Sequence, residues 1–215
     1  AYHNTLHTNF WTEVDGQWML KPEVRERLLQ IGRKFADSLE LPPEAITDYV
    51  LTGSIANYNW TELSDVDLHL LIHPSQLNCE GCKISVEGCL QAKKSLWNDR
   101  HDIFIYNHPV ELYAALDDDK VVGQAAVFSL LSNKWIVPPK KVEVNLNDPI
   151  LLVKANELAH EIDTLISSET NDEDVIEDLI NRLWNMRGAG LKAAGEFSTE
   201  NLVFKILRNS GRLDK

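Results

Sequence analysis

Two aspartates one residue apart, Asp65 and Asp67, head an apolar run that continues to Ile72. The run predicts a strand over 65–72, and because strand side chains alternate between faces, both carboxylates would point the same way. Carboxylates in this arrangement can share metal ions, and phosphoryl chemistry uses pairs of divalent ions roughly 3.5–4 Å apart. Asp65 and Asp67 are therefore predicted to bind two Mg²⁺ ions, with Mn²⁺ as the alternative.

A glycine–serine pair precedes these acids. Gly53 and Ser54 follow a predicted strand over 46–51, and residues 54–61 are expected to form a turn or short helix. Glycine lets the backbone approach a ligand closely, and the N–H groups and the hydroxyl of such a turn are donors for phosphate oxygens. Gly53 and Ser54 are therefore predicted to bind the phosphates of a nucleotide.

Gly53-Ser54, a spacer of ten residues and Asp65-Val66-Asp67 together resemble the signature of the polymerase-β-like nucleotidyltransferase superfamily. More narrowly, residues 51–71, the Trp97-Asn98 pair and residues 195–213 are similar to small nucleotidyltransferase-like proteins of tailed bacteriophages. The resemblance implies transfer of a nucleoside monophosphate from a nucleoside triphosphate to an acceptor hydroxyl, with pyrophosphate leaving. It leaves open whether the acceptor is a small molecule, a protein or an RNA end.

The same resemblance implies a third carboxylate on a neighbouring strand with apolar flanks. Glu111, within the segment 109–113, has this setting and is expected to join Asp65 and Asp67 as a catalytic residue and metal ligand. Asp102 is the competing candidate. Asp102 precedes the predicted strand 103–106, and its neighbours Arg100 and His101 favour a surface ion pair.

Charge is distributed unevenly along the chain. The formal net charge of −12 argues against binding of long duplex DNA, which requires basic residues along the phosphate backbone. Residues 181–215 nevertheless hold seven basic and three acidic residues, a net charge of +4, which leaves −16 for the other 180 residues. Arg187 and Lys192 are therefore predicted to bind the nucleotide or acceptor, with residues 188–190 letting the chain bend toward a site. A solvated helical surface is the alternative.

The apolar spacing predicts a mixed part followed by a helical part. Helices are expected over 22–41, 84–98, 150–168, 174–186 and 199–208, and further strands over 103–106, 110–113 and 134–137. The proline-rich stretch 138–149 separates a nucleotidyltransferase catalytic domain over 1–140 from a helical region over 141–215. The fold class is thus α/β (α+β), with a small mixed sheet flanked by helices. The run 68–72 favours a strand buried on both faces.

Four weaker patterns have two interpretations each. Cys79 and Cys82, with Cys89 and His73, could bind zinc or could be a chance surface pair. His69 shares the predicted face of Asp67 and could contact a nucleotide or be a buried hydrogen-bonded histidine. The aromatic stretch 58–60 could stack on a base or pack within its turn. Lys93, Lys94 and Arg100 could reach phosphates or simply cover a helix surface.

No stretch reaches the roughly 20 apolar residues of a membrane span, and no leader segment opens the sequence. We therefore expect a cytoplasmic protein without a membrane partner, in the host cytoplasm if a phage encodes it. The predicted function is nucleotidyl transfer by a two-metal mechanism. The alternatives are a catalytically inactive, antitoxin-like interaction module and a nucleotidyltransferase acting on nucleic-acid 3′ ends.

Overall fold

The computed structural model describes residues 3–73, 86–117, 126–168 and 172–213, without the side chains of residues 86, 87 and 89. The chain divides into two compact units, Ala1–Lys141 and Val142–Lys215. This division lies inside the proline-rich stretch 138–149. The first unit combines helices with a mixed sheet and the second is helical. The predicted α/β (α+β) class is therefore confirmed.

The described part of the first unit contains eight strands and two α-helices. In chain order they are β1 (Trp11–Val14), β2 (Gln17–Leu20), α1 (Pro22–Ser38), β3 (Ile46–Thr52), β4 (Val66–Ile72), α2 (Val86–Arg100), β5 (Phe104–Ile105), β6 (His108–Leu116), β7 (Val127–Ser129) and β8 (Lys134–Val137). Strands β1 and β2 form a hairpin, and the other six form one sheet in the order β5-β6-β4-β3-β7-β8. Within this sheet β4 and β6 run parallel, and the other described pairs are antiparallel.

Strand β4 lies in the middle of the sheet and has two unlike faces. Its even-numbered residues, from Val66 to Ile72, are at most 1 % exposed and belong to the core on which α1 packs. Its odd-numbered residues, including Asp67 and His69, are only half-buried. The expectation of a strand buried on both faces is therefore wrong for this side, because full burial of its polar side chains would cost their solvation.

One side chain of α2 covers the outer edge of β6 at Leu112. The Asn98 amide donates to the Leu112 carbonyl at 3.1 Å, and its oxygen accepts from the Leu112 N–H at 3.2 Å. Strand β5 pairs with β6 at His108 and Pro109, and the Val110 N–H donates to the Ile103 carbonyl just before β5. Beyond those residues Asn98 takes the place of a neighbouring strand, and it holds α2 against the sheet.

The hairpin of β1 and β2 was not anticipated from the sequence. Its turn is Asp15-Gly16, with φ of 50° and 77°, a conformation that favours glycine at the second position. Trp11 on β1 is buried, stacks on Trp135 at 4.7 Å and donates its indole N–H to the Ile55 carbonyl at 2.8 Å. The hairpin therefore supports the segment that follows Gly53.

The second unit contains three described helices, α3 (Pro149–Ser167), α4 (Glu173–Ala194) and α5 (Thr199–Asn209). Their buried apolar residues form a core of their own: Leu151, Ala155, Ile162, Leu183, Val203, Phe204 and Leu207. Helix α4 runs without interruption through residues 188–190, so the predicted bend there is wrong. Gly190 serves packing instead, since a Cβ there would lie 2.5 Å from the Cβ of Glu200. None of the described helices combines the length and apolar composition that crossing a membrane requires.

Two glycines of α4 allow a matched test of this packing. We expect Gly190→Ala to lower the free energy of unfolding by about 1–3 kcal/mol, because the new methyl group overpacks the start of α5. Gly188→Ala should instead stabilise by about 0.5–1 kcal/mol, because nothing lies within 4 Å of its Cβ position and alanine is the better helix former. Urea unfolding of both variants measures the difference. Equal effects would contradict the packing role of Gly190.

Candidate active site

Three of the predicted site residues lie on one face of two adjacent strands. Asp67 on β4 is directly opposite Glu111 on β6 in the parallel register. Asp65 directly precedes β4 and is two residues from Asp67, so it continues the same face. Neighbouring strands are about 4.7–4.9 Å apart, so Asp67 and Glu111 are neighbours on this face. The competing candidate, Asp102, is exposed and lies ahead of β5.

Tyr113 lies among these carboxylates and was missed by the sequence reasoning. Its phenol donates to Oε2 of Glu111 at 2.5 Å. Burial raises the pKa of Tyr113 far above its ordinary value, and the charges of Asp67, Glu111 and Asp65 raise it further. All three acids thus act on one phenol, which stays protonated and fixes the Glu111 carboxylate. Tyr113 follows Glu111 by two residues on a predicted strand, so the alternation of strand side chains could have placed it on the same face.

Gly53 brings the backbone directly against the Asp67 carboxylate. It has φ of 73°, in the left-handed region, and a Cβ at this position would lie 1.8 Å from Oδ2 of Asp67. The preceding residue, Thr52, pairs with Asp67 across β3 and β4. Backbone conformation and space both require glycine here. The predicted phosphate-binding turn therefore abuts the predicted metal ligand.

The hydroxyl of Ser54 points toward the loop that precedes β4. It donates to the Ser64 hydroxyl at 2.7 Å, and the same Ser64 oxygen accepts from the Thr61 N–H at 2.9 Å. The Asn57 amide donates to the Gly53 carbonyl at 2.7 Å. These bonds fix the turn to the loop that carries Asp65. The Ser54 hydroxyl could donate to a phosphate only by giving up Ser64.

Two further side chains flank Tyr113. His69 stacks on its ring, with centroids 4.6 Å apart, and the Lys94 ammonium lies 4.0 Å above the ring centroid. Burial lowers the pKa of His69 to about 4, with a smaller contribution from Lys94, so its imidazole is neutral near pH 7. Lys94 brings a positive charge from α2 to a face that carries three acids.

The aromatic stretch 58–60 is packed within the protein. Trp60 stacks on His3, with ring centroids 3.5 Å apart, and donates its indole N–H to the Thr5 carbonyl at 3.0 Å. Asn59 is buried, and Tyr58 is half-buried with the Lys141 ammonium 5.4 Å from its ring. These contacts favour the packed-turn interpretation over base stacking. Cys79 and Cys82, for which zinc binding and a chance surface pair were both considered, lie outside the described residues, as does the side chain of Cys89, and His73 is exposed.

Arg187 and Lys192 lie in the second unit and differ in their surroundings. Arg187 donates from Nε to the buried Asn201 side chain at 3.3 Å, and its guanidinium lies 5.4 Å from the Trp184 ring and 5.2 Å from the Phe204 ring. Lys192 is exposed in the last turn of α4. Arg187 thus helps to hold α5 against α4.

This difference sets an expectation for a matched pair of substitutions. Arg187→Met should lower the free energy of unfolding by about 1–2 kcal/mol, because buried Asn201 loses a hydrogen-bond partner. Lys192→Met should change it by less than about 0.5 kcal/mol, as is usual for exposed positions. Lys192→Met is therefore the clean test of the predicted role in ligand binding, measured by titration with nucleotide. Unchanged nucleotide and acceptor binding would assign its charge to solvated surface.

Comparison of the chain with protein-family models, with curated proteins and with solved structures gave no match.

Proposed function

We propose that this protein is a metal-dependent nucleotidyltransferase that moves a nucleoside monophosphate from a nucleoside triphosphate to an acceptor hydroxyl. One observation carries the proposal. Asp67 and Glu111 are opposed on parallel strands, Asp65 continues their face, and the backbone of Gly53 lies against the Asp67 carboxylate. A set of carboxylates beside a glycine turn supplies ligands for cations and donors for phosphates in one place.

The donor set fits Mg²⁺ or Mn²⁺. All three acids offer carboxylate oxygens, which are the ligands that hard divalent ions prefer. Asp65, Asp67 and Glu111 would hold the ions. Bound there, the ions would neutralise charge on the triphosphate and lower the pKa of the acceptor hydroxyl.

The protein's own groups would orient the reactants. The acceptor oxygen forms a bond to the α-phosphorus while the bond to the bridging oxygen of the β-phosphate breaks, so that pyrophosphate leaves and the hydroxyl proton is released to solvent. The Gly53 turn would hold phosphate oxygens close to Asp67. The Tyr113 phenol donates to Oε2 of Glu111, so Oε1 would be the oxygen that ligates an ion. Lys94 would offset the negative charge gathered on this face.

The test has two stages that use the full chain. Calorimetric titration with ATP, GTP, CTP and UTP, with Mg²⁺ and with chelator, should show binding that requires the metal. Incubation with the preferred α-labelled triphosphate and a bacterial lysate should then leave label in the small-molecule, protein or RNA fraction, which identifies the acceptor class. Equal or absent binding of every triphosphate under both conditions would contradict the proposal and favour the inactive interaction module.

A further inference from the structure

We propose that His7, Glu62 and His108 form a second metal site, suited to zinc, which braces the loop in front of Asp65. His108 and Glu111 are three residues apart on β6, so their side chains leave opposite faces of the sheet. The site is therefore distinct from the carboxylates that would bind Mg²⁺, and it does not depend on the proposed transfer reaction.

The three side chains already converge. One ligand atom from each lies within 4.8 Å of the other two. The imidazoles are 5 % and 1 % exposed and meet edge to face with centroids 4.9 Å apart, whereas Glu62 is exposed. Zinc binds nitrogen and oxygen at about 2.0–2.2 Å, which puts tetrahedral ligand atoms about 3.3–3.6 Å apart. The Glu62 side chain is exposed and free of core packing, so it can move closer to the imidazoles to reach the ligand spacing of a zinc site. A water molecule would be the fourth ligand.

His108 is oriented as metal-binding histidines usually are. Its Nδ1–H donates to the Ser64 carbonyl at 2.7 Å, which leaves the lone pair on Nε2. A backbone carbonyl that holds the distal N–H is the common way in which proteins fix the tautomer of a ligating histidine. A metal ion at this position would bind that lone pair.

His7 would exchange one weak hydrogen bond for the metal. Its Nδ1 accepts from the Asn9 N–H at 3.3 Å, so the neutral metal-free ring carries its proton on Nε2. Binding through Nδ1 replaces the Asn9 bond directly. Binding through Nε2 moves the proton to Nδ1 and gives up the same bond. In both cases the metal competes with a long hydrogen bond, which is a small cost beside coordination.

The donor set predicts the metal and its effect. Two imidazole nitrogens and one carboxylate suit zinc, whereas an all-carboxylate site suits Mg²⁺. The three ligands come from separate parts of the first unit: the N-terminal segment, the loop before β4 and the first residue of β6. Ser64 lies between Glu62 and Asp65, and it is also the hydrogen-bond partner of His108 and Ser54. Zinc at this site would therefore fix the loop that leads into Asp65.

The test is calorimetric titration of the chelator-treated full chain with Zn²⁺ in excess Mg²⁺. We expect one Zn²⁺ to bind, Glu62→Gln to weaken binding at least about tenfold, and His108→Gln to abolish it. Glu44→Gln, another exposed glutamate of the same unit, should bind as the parent does. Because Glu62 is exposed, its variant decides the question even if His108→Gln fails to fold.

Cysteine ligands are distinguished by a second measurement. Co²⁺ at the proposed site should give visible d–d absorption without the near-ultraviolet thiolate charge-transfer band, and Cys79→Ser/Cys82→Ser should keep Zn²⁺ binding. Absence of Zn²⁺ binding in excess Mg²⁺, parent-like binding by Glu62→Gln, or loss of binding only in the cysteine variant would each overturn the proposal.

Discussion

Asp67→Asn is expected to remove Mg²⁺-dependent nucleotide binding and to lower any transfer rate at least about a hundredfold, the scale on which charge stabilisation at a reacting phosphate is lost. The metal-free variant should melt no lower than the parent. Asp67 on β4 lies opposite Glu111 on the adjacent strand β6, and the charges of both raise the pKa of Tyr113. Because like charges repel, neutralising Asp67 should relieve repulsion among these acids. Thermal melts with Mg²⁺ and with chelator, together with the nucleotide titration, measure both effects.

Asp102→Asn is the matched control for this substitution. Asp102 is an exposed aspartate ahead of β5, so the same chemical change there should leave metal binding, transfer and melting temperature as in the parent. If Asp67→Asn keeps Mg²⁺-dependent binding, or if Asp102→Asn loses it, the carboxylates of β4 and β6 are not the metal ligands.

Gly53→Ala is expected to damage both stability and the site. An alanine at φ of 73° costs about 1–2 kcal/mol of backbone strain, and its Cβ would collide with the Asp67 carboxylate at 1.8 Å. The carboxylate must move, so metal-dependent nucleotide binding should fall by at least about tenfold in addition to the loss of stability. Urea unfolding and nucleotide titration of the variant separate these two effects.

Gly16→Ala isolates the backbone part of this prediction. Gly16 has a similar φ of 77°, but nothing lies within 4 Å of its Cβ position. We expect a comparable loss of about 1–2 kcal/mol with unchanged nucleotide binding. Similar nucleotide binding by the two variants would show that contact between Gly53 and Asp67 has no part in ligand binding.

The sequence was sufficient to predict those helices and strands in which burial of one face determines the spacing of the apolar residues. The apolar stripe of α1 and the strand that follows Asp65 were predicted because burial of one face imposes a fixed period on each. The opposition of Asp67 and Glu111 depends in addition on parallel pairing of two strands that α2 separates in the chain. Apolar flanks suggested Glu111, but no local pattern specifies its register.

Other features depend on contacts that local sequence does not encode. The helix α4 continues through Gly188 and Gly190 although each glycine costs about 1 kcal/mol in helix propensity, because tertiary packing outweighs that cost. The Ser54 hydroxyl reaches Ser64 because of the rotamer that Ser54 adopts, and the local sequence does not specify that rotamer. His7 and His108 meet only through the fold, from distant points of the chain. The β1–β2 hairpin, in contrast, had a readable signal in Asp15-Gly16.

The bonds between Asn98 and the backbone of Leu112 also bear on how the protein behaves at high concentration. An uncovered strand edge is a template on which a strand of another molecule can add, and such addition leads to aggregation. At Leu112 an incoming strand would first have to displace a side chain that already satisfies both backbone groups. A single asparagine on a helix therefore protects the edge of β6 at Leu112 from strand addition, and it does so without placing a charge beside the three acids of the opposed strands.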